Sequence, residues 1–143
     1  MIPTEEGALT LNSEYKLKHL EFIQSVINRM ASNSFLLKGW SVTLVAALFA
    51  LAAKDSDKKY IVVAYFPVIV FWILDAYFLS QERRFRNLYD AARAKKEEEI
   101  DFSMDTRPFA DSRTRWAATF FSRTLLVFYL SLVLVMIFAM YFI

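Results

Sequence analysis

Residues Tyr60 to Ser80 read YIVVAYFPVIVFWILDAYFLS. A helix needs about 20 mostly apolar residues to cross the hydrocarbon of a bilayer, and this run meets that length with one charged residue, Asp75. Two further runs have the same character: FLLKGWSVTLVAALFALAA from Phe35 to Ala53, and TLLVFYLSLVLVMIFAMYFI from Thr124 to Ile143. In a chain of 143 residues that is 57% hydrophobic, too little polar helix surface is left to cover three such runs in water. The reading is an all-α integral membrane protein with three transmembrane helices.

Outward from the spans, the helical period continues. SEYKLKHLEFIQSVINRMASNSFLLKGW, from Ser13 to Trp40, places Leu20, Ile23, Ile27, Met30, Ser34 and Leu37 on one stripe. An N-terminal amphipathic helix over 13–34 is therefore expected to run without a break into a span at 35–53. Residues 1–12, with Pro3 and Gly7, read as a flexible tail; MIPTEEGALT is acidic and polar, unlike a cleavable signal. After the second span at 60–80, where Pro67 is the expected kink, a helix-favouring extension covers 81–100. Its four-residue charge pairs are Glu82–Arg86, Arg86–Asp90, Arg93–Glu97 and Lys95–Glu99. Phe85, Leu88, Tyr89 and Ala92 form a narrow apolar stripe suited to meet that of the first helix. A connector at 101–115, broken by Pro108, leads to a third span at 116–143. Residues 13–143 thus make one membrane domain.

Lysine and arginine placement sets the orientation. Arg83, Arg84, Arg86, Arg93, Lys95, Lys96, Arg107, Arg113 and Arg115 lie between the second and third spans, whereas the turn KDSDKK holds three lysines. The expectation is a multi-pass protein of the bacterial inner (plasma) membrane. Its N-terminus and the 81–115 segment are cytoplasmic, and its C-terminus lies at the outer face.

Most chemistry is excluded. There is no cysteine, so disulfides and thiolate catalysis are ruled out. The two glycines, Gly7 and Gly39, permit neither a Walker loop nor a dinucleotide fingerprint. His19 is the sole histidine and reads as solvated or interhelical. KKEEE reads as a solvated helix face rather than a cation site. The chain is expected to be no enzyme and to use no cofactor or metal. The basic helix is nearly balanced by acids, so specific nucleic-acid binding is not expected either.

Asp75 is the exception. An unpaired carboxylate at that depth costs at least about 3 kcal/mol. Counting along the helices puts Arg123 at similar depth, and Lys38 in the same leaflet. Either Asp75 pairs with Arg123, with Lys38 nearby, and fixes helix register, or it lines a hydrated cavity or pore between subunits. A second signal is the face of small residues Gly39, Thr43, Ala47 and Ala50, which lets helices approach closely in lipid. Packing on the second span or on another copy would use it equally well. With only three spans, self-assembly is the favoured expectation.

The stretches NRMASNSFLLKGWSVTLVAALFALAA (Asn28–Ala53) and FWILDAYFLSQERRFRNLYD (Phe71–Asp90) give a layout that resembles SLATT-type membrane effectors of bacterial anti-phage operons. The resemblance covers residues 14–100; the third span is additional to the family's two-span pattern. It implies an oligomeric effector that opens a pore or disrupts the membrane when a cytoplasmic sensor protein or nucleotide signal reports infection. Arg83, Arg84, Arg86 and Arg93 are the candidate nucleotide contacts. The alternative is a non-conducting scaffold that holds a cytoplasmic partner through Phe85, Leu88, Tyr89 and the basic helix.

Overall fold

A computed structural model of the chain describes residues 5–55 and 57–142. All regular structure among the described residues is helical: α1 (Glu5–Asp55), α2 (Lys59–Ala94), α3 (Trp116–Phe120) and α4 (Arg123–Phe142). At about 1.5 Å per residue, α1 is about 75 Å long and α2 about 54 Å. They form an antiparallel hairpin around the turn at Asp57 and Lys58, where the Asp57 carboxylate accepts the Lys59 N–H at 2.9 Å.

Three helices are long and apolar enough to cross a membrane, and they bury little of themselves in one another. Only 17% of the most apolar window of α1, 28% of that of α2 and 17% of that of α4 are buried, so large apolar side chains face outward. Phe35, Trp40, Phe66, Val127, Leu134 and Phe138 are all exposed. In water this surface would be untenable. Past the level of Ser34 and Ser80 charged and amide side chains enter the outward face of the hairpin, with Glu14, Lys18, Gln24, Asn28 and Asp90 exposed beside Tyr15, Leu17 and Phe22. The molecule therefore divides into an apolar belt and a polar-faced stalk.

Each part has its own core. In the stalk, Ile23 and Ile27 of α1 meet Leu88 and Ala92 of α2, with Leu20, Phe85, Tyr89 and Phe109 packed around them. The two stripes read from the sequence face each other. Each fully buried Ile or Leu contributes roughly 2 kcal/mol where the alternative is water. In the belt, Val45 and Ala52 of α1, Ile61, Ala64, Val68 and Ala76 of α2, and Leu125, Tyr129 and Met136 of α4 form the second cluster.

Three boundaries differ from expectation. The tail assigned to 1–12 is helical from Glu5; residues 1–4 lie outside the described residues. α2 stops at Ala94 rather than near 100, because Lys16 of α1 donates to the carbonyls of Arg93 (3.1 Å) and Lys95 (2.6 Å). That ammonium takes acceptors which the next helical turn would need, and a cation suits a helix C-terminus. The expected Arg93–Glu97 and Lys95–Glu99 pairs are lost with that turn. Lys95 approaches Asp101 (3.4 Å) and Arg93 approaches Asp90 (3.7 Å), while Glu82–Arg86 forms as expected at 2.7 Å. Finally, the segment 116–143 is broken at Phe121 and Ser122 into α3 and α4.

The connector is held by its own side chains. Asp111 accepts the N–H groups of Arg113 (2.9 Å) and Thr114 (2.8 Å), and the Thr114 hydroxyl donates to the Phe109 carbonyl (3.0 Å). From α2, Ser80 donates to the Thr114 carbonyl (2.5 Å) and Arg83 to the Arg113 carbonyl (3.0 Å). Hydrogen bonds hold three carboxyls below the usual carboxylate range: Asp101 mainly through the Ser103 N–H, Asp105 through the Arg107 side chain, and Asp111 through the Thr114 N–H. A carboxyl with a depressed pKa stabilises the fold above its ordinary pKa, and that contribution fades as pH falls through the folded value. Segment 101–115 is therefore expected to lose protection below about pH 4 while the stalk core keeps its own. Amide hydrogen exchange, corrected for intrinsic rates, checks this; equal loss in both regions would contradict it.

Candidate functional site at the junction of stalk and belt

Ser34 and Lys38 lie one turn apart on α1, facing α2, at the end of the apolar run. Asp75 faces them from α2. Its side chain is fully buried, and Lys38 Nζ lies 2.5 Å from its Oδ2 with a side chain 19% exposed. The Ser34 hydroxyl donates to Oδ1 of Asp75 and accepts from Lys38 at 2.8 Å. Tyr129 of α4 donates its hydroxyl to Asp75 at 3.1 Å. The carboxylate thus has three donors from two other helices. The Lys38 ammonium has two oxygen acceptors and lies 5.9 Å from the Phe128 ring centroid. One opposite charge and two hydroxyls satisfy a group that would otherwise be prohibitive in an apolar setting.

Tyr129 is positioned by an aromatic stack. Trp72 of α2 lies between Phe120 (4.5 Å, 9° between planes) and Tyr129 (5.4 Å, 7°). The α3 segment is fixed to α2 through backbone acceptors. Thr119 donates to the Ala76 carbonyl (2.9 Å), Trp116 Nε1 to the Ile73 carbonyl (3.2 Å), and Trp72 Nε1 to the Phe120 carbonyl (3.1 Å). The Phe120 carbonyl, bound this way at the end of α3, marks the break before α4. The Ser122 hydroxyl is buried without a hydrogen-bond partner, so it is not a side-chain cap for α4. The break is a product of tertiary contacts with α2.

The expected Asp75–Arg123 pair does not form. Arg123 opens α4 with an exposed side chain and has no ion pair among the described residues. Lys38 holds Asp75 instead. The residues expected for the cytoplasmic contact are also differently employed. Phe85 and Tyr89 are half-buried against the stalk core, so their stripe is occupied within the chain. Arg86 is paired with Glu82, Arg93 is exposed near Asp90, and Arg84 has a buried Nε without a hydrogen-bond partner. Gly39, Thr43, Ala47 and Ala50 are exposed: α2 packs on the other side of α1, through Ser41, Val45 and Ala52. A Cβ added at Gly39 would meet nothing within 4 Å.

Two features escape sequence reasoning. Ser34 reads only as a stripe member and Tyr129 only as part of the third apolar run, yet they complete the shell of Asp75. His19 is buried with its ring edge-on to Phe102 at 5.5 Å. Phe102 has φ of 52°, a left-handed conformation that a bulky residue rarely adopts. This bend brings Phe102 and Met104 beside Tyr15, Phe22 and Val26 of α1, around an apolar groove of about 660 Å³. Among the described residues no group of His, Asp and Glu is arranged to hold a metal ion.

Comparison with models of known families, with curated proteins and with solved structures returns no match.

The partners of the buried pair differ in exposure, and this gives an asymmetric expectation. Lys38→Met leaves a fully buried carboxylate with hydroxyl donors only, and is expected to cost about 3 kcal/mol. Asp75→Asn costs less, because the amide still serves Ser34 and Tyr129 and Lys38 reaches the surface. The Lys38→Met/Asp75→Asn double variant should be more stable than the sum of these single changes allows. Denaturant unfolding in detergent micelles measures this cycle; additive effects would remove the pair as a determinant.

Proposed function

We propose that the chain is a self-associating membrane effector whose stalk controls the packing of its spans, with the stalk on the cytoplasmic side of a bacterial inner membrane. The observation that carries this reading is the unpartnered small-residue face of α1. Gly39, Thr43, Ala47 and Ala50 would let a second copy's helix approach closely, and within one copy that face packs on nothing. The interior of one copy is filled by the Trp72 stack and the belt cluster, so any path for ions must form between copies.

The coupling is mechanical. α1 and α2 each run unbroken from stalk to belt, and the Lys38–Asp75 pair joins them at the junction. A partner or nucleotide that shifts one stalk helix along the other strains this pair and exposes the carboxylate to neighbouring copies. The resemblance to SLATT-type effectors supplies the setting, anti-phage defence, and the outcome, loss of the membrane barrier. A scaffold without conduction is the second reading. It is favoured by the water-exposed groove at Tyr15, Phe22, Phe102 and Met104, since exposed aromatics outside an apolar belt suit a protein partner.

Induced expression with a membrane-potential dye separates the two. The effector reading expects depolarisation by the parent chain. It also expects that depolarisation to be abolished by Gly39→Leu or Ala47→Leu at unchanged protein level, with the detergent-solubilised particle falling to monomer mass. Intact potential together with a monomeric parent particle would leave the scaffold.

A further inference from the structure

Where the connector crosses α2, three arginines meet around a recess of about 560 Å³. Arg83 and Arg86 come from successive positions on one face of α2, and Arg113 comes from the connector. Arg83 spends one donor on the Arg113 carbonyl (3.0 Å) and has no carboxylate partner among the described residues. Arg113 is exposed and has no ion pair among them either; Arg86 is bound by Glu82 at 2.7 Å. The single acid of the lining, Asp111, has its Oδ1 engaged by two backbone N–H groups. Asn87 and Ser112 add neutral donors and acceptors to the wall.

The position of the recess narrows the ligand. Its floor includes Ala118 of α3, and next to it the surface becomes apolar, with Ala117 exposed and Phe121 67% exposed. Trp116 lies at the same edge, with its indole N–H on the Ile73 carbonyl. The recess thus has guanidinium groups above and an outward apolar wall below, at the boundary between belt and stalk. Guanidinium groups match phosphate oxygens in geometry and charge, and a basic pocket at this depth suits a lipid headgroup. Three cations opposed by two carboxylates, Asp111 in the lining and Glu82 on Arg86, leave about one net positive charge, which suits a singly charged phosphodiester better than a highly charged polyphosphate.

We infer that Arg83, Arg86 and Arg113 form a phosphate-binding site, and that its occupant is the phosphodiester of an anionic phospholipid whose chains lie along α3. This requires the apolar belt to sit in lipid and is independent of whether the protein conducts. By clamping α2 to the connector, an occupied site would reinforce the bond already made between Arg83 and the Arg113 carbonyl.

The test uses the full chain in dodecyl maltoside micelles, with thermal unfolding followed as dioleoyl phosphatidylglycerol, dioleoyl phosphatidylcholine or inorganic phosphate is added. Phosphatidylglycerol is expected to raise the midpoint more than phosphatidylcholine. Arg113→Gln, which removes no side-chain hydrogen bond or ion pair among the described residues, should raise the half-effective lipid concentration about fivefold. Arg83→Gln should do at least as much, and Lys58→Gln in the distant turn should change nothing. If inorganic phosphate protects equally and Arg113→Gln cancels it, the site stands but its ligand is a soluble phosphate. Equal protection by the two lipids, or an unchanged response in Arg113→Gln, overturns the assignment.

Discussion

The pairing of Lys38 with Asp75 constrains everything else in this molecule. A fully buried carboxylate in an apolar belt has one acceptable arrangement, in which its charge is opposed and its oxygens are hydrogen-bonded. Sliding α1 by one turn, about 5.4 Å, would separate the pair and also move Ile23 and Ile27 away from Leu88 and Ala92. The apolar contacts of the belt tolerate such a shift poorly but do not specify against it, because one aliphatic side chain replaces another. Charge supplies the register, and dispersion fills the space around it.

The third helix is added by a different means. Thr119, Trp116 and Trp72 make hydrogen bonds between side chains of one element and backbone carbonyls of another. Such bonds gain value where water cannot compete for the same groups. They fix α3 against α2, and the aromatic stack then sets Tyr129 within reach of Asp75. The carboxylate is thereby connected to all three long helices, and its shell registers any change in their mutual packing.

The stalk and belt obey different rules on a shared backbone. In the stalk, burial of Ile23, Ile27 and Leu88 from water drives association. In the belt, the outer faces remain apolar, and close contact depends on shape, small residues and polar groups. The polar junction lies where one regime passes into the other. Two unbroken helices run from stalk to belt, and the Lys38–Asp75 pair joins them at this junction.

The amino-acid pattern alone determined much of this. Three runs of apolar residues, the helical period through Leu20, Ile23 and Ile27, and the stripe at Phe85, Leu88 and Ala92 announced the helices and the faces they bury. Periodicity and length are local properties, so they are legible without coordinates. The same pattern identified Asp75 as the charge needing an explanation. Only the tertiary structure decided which cation answers it, because depth along a helix favoured Arg123 and does not say which side chains face one another: Lys38 faces Asp75, and Arg123 is exposed. It also decided where α2 stops and where the final span breaks. Lys16 is distant in sequence from the carbonyls it binds, and Trp72 from Phe120. A contact between distant residues overrides local helix preference when it claims the backbone groups on which the next turn depends.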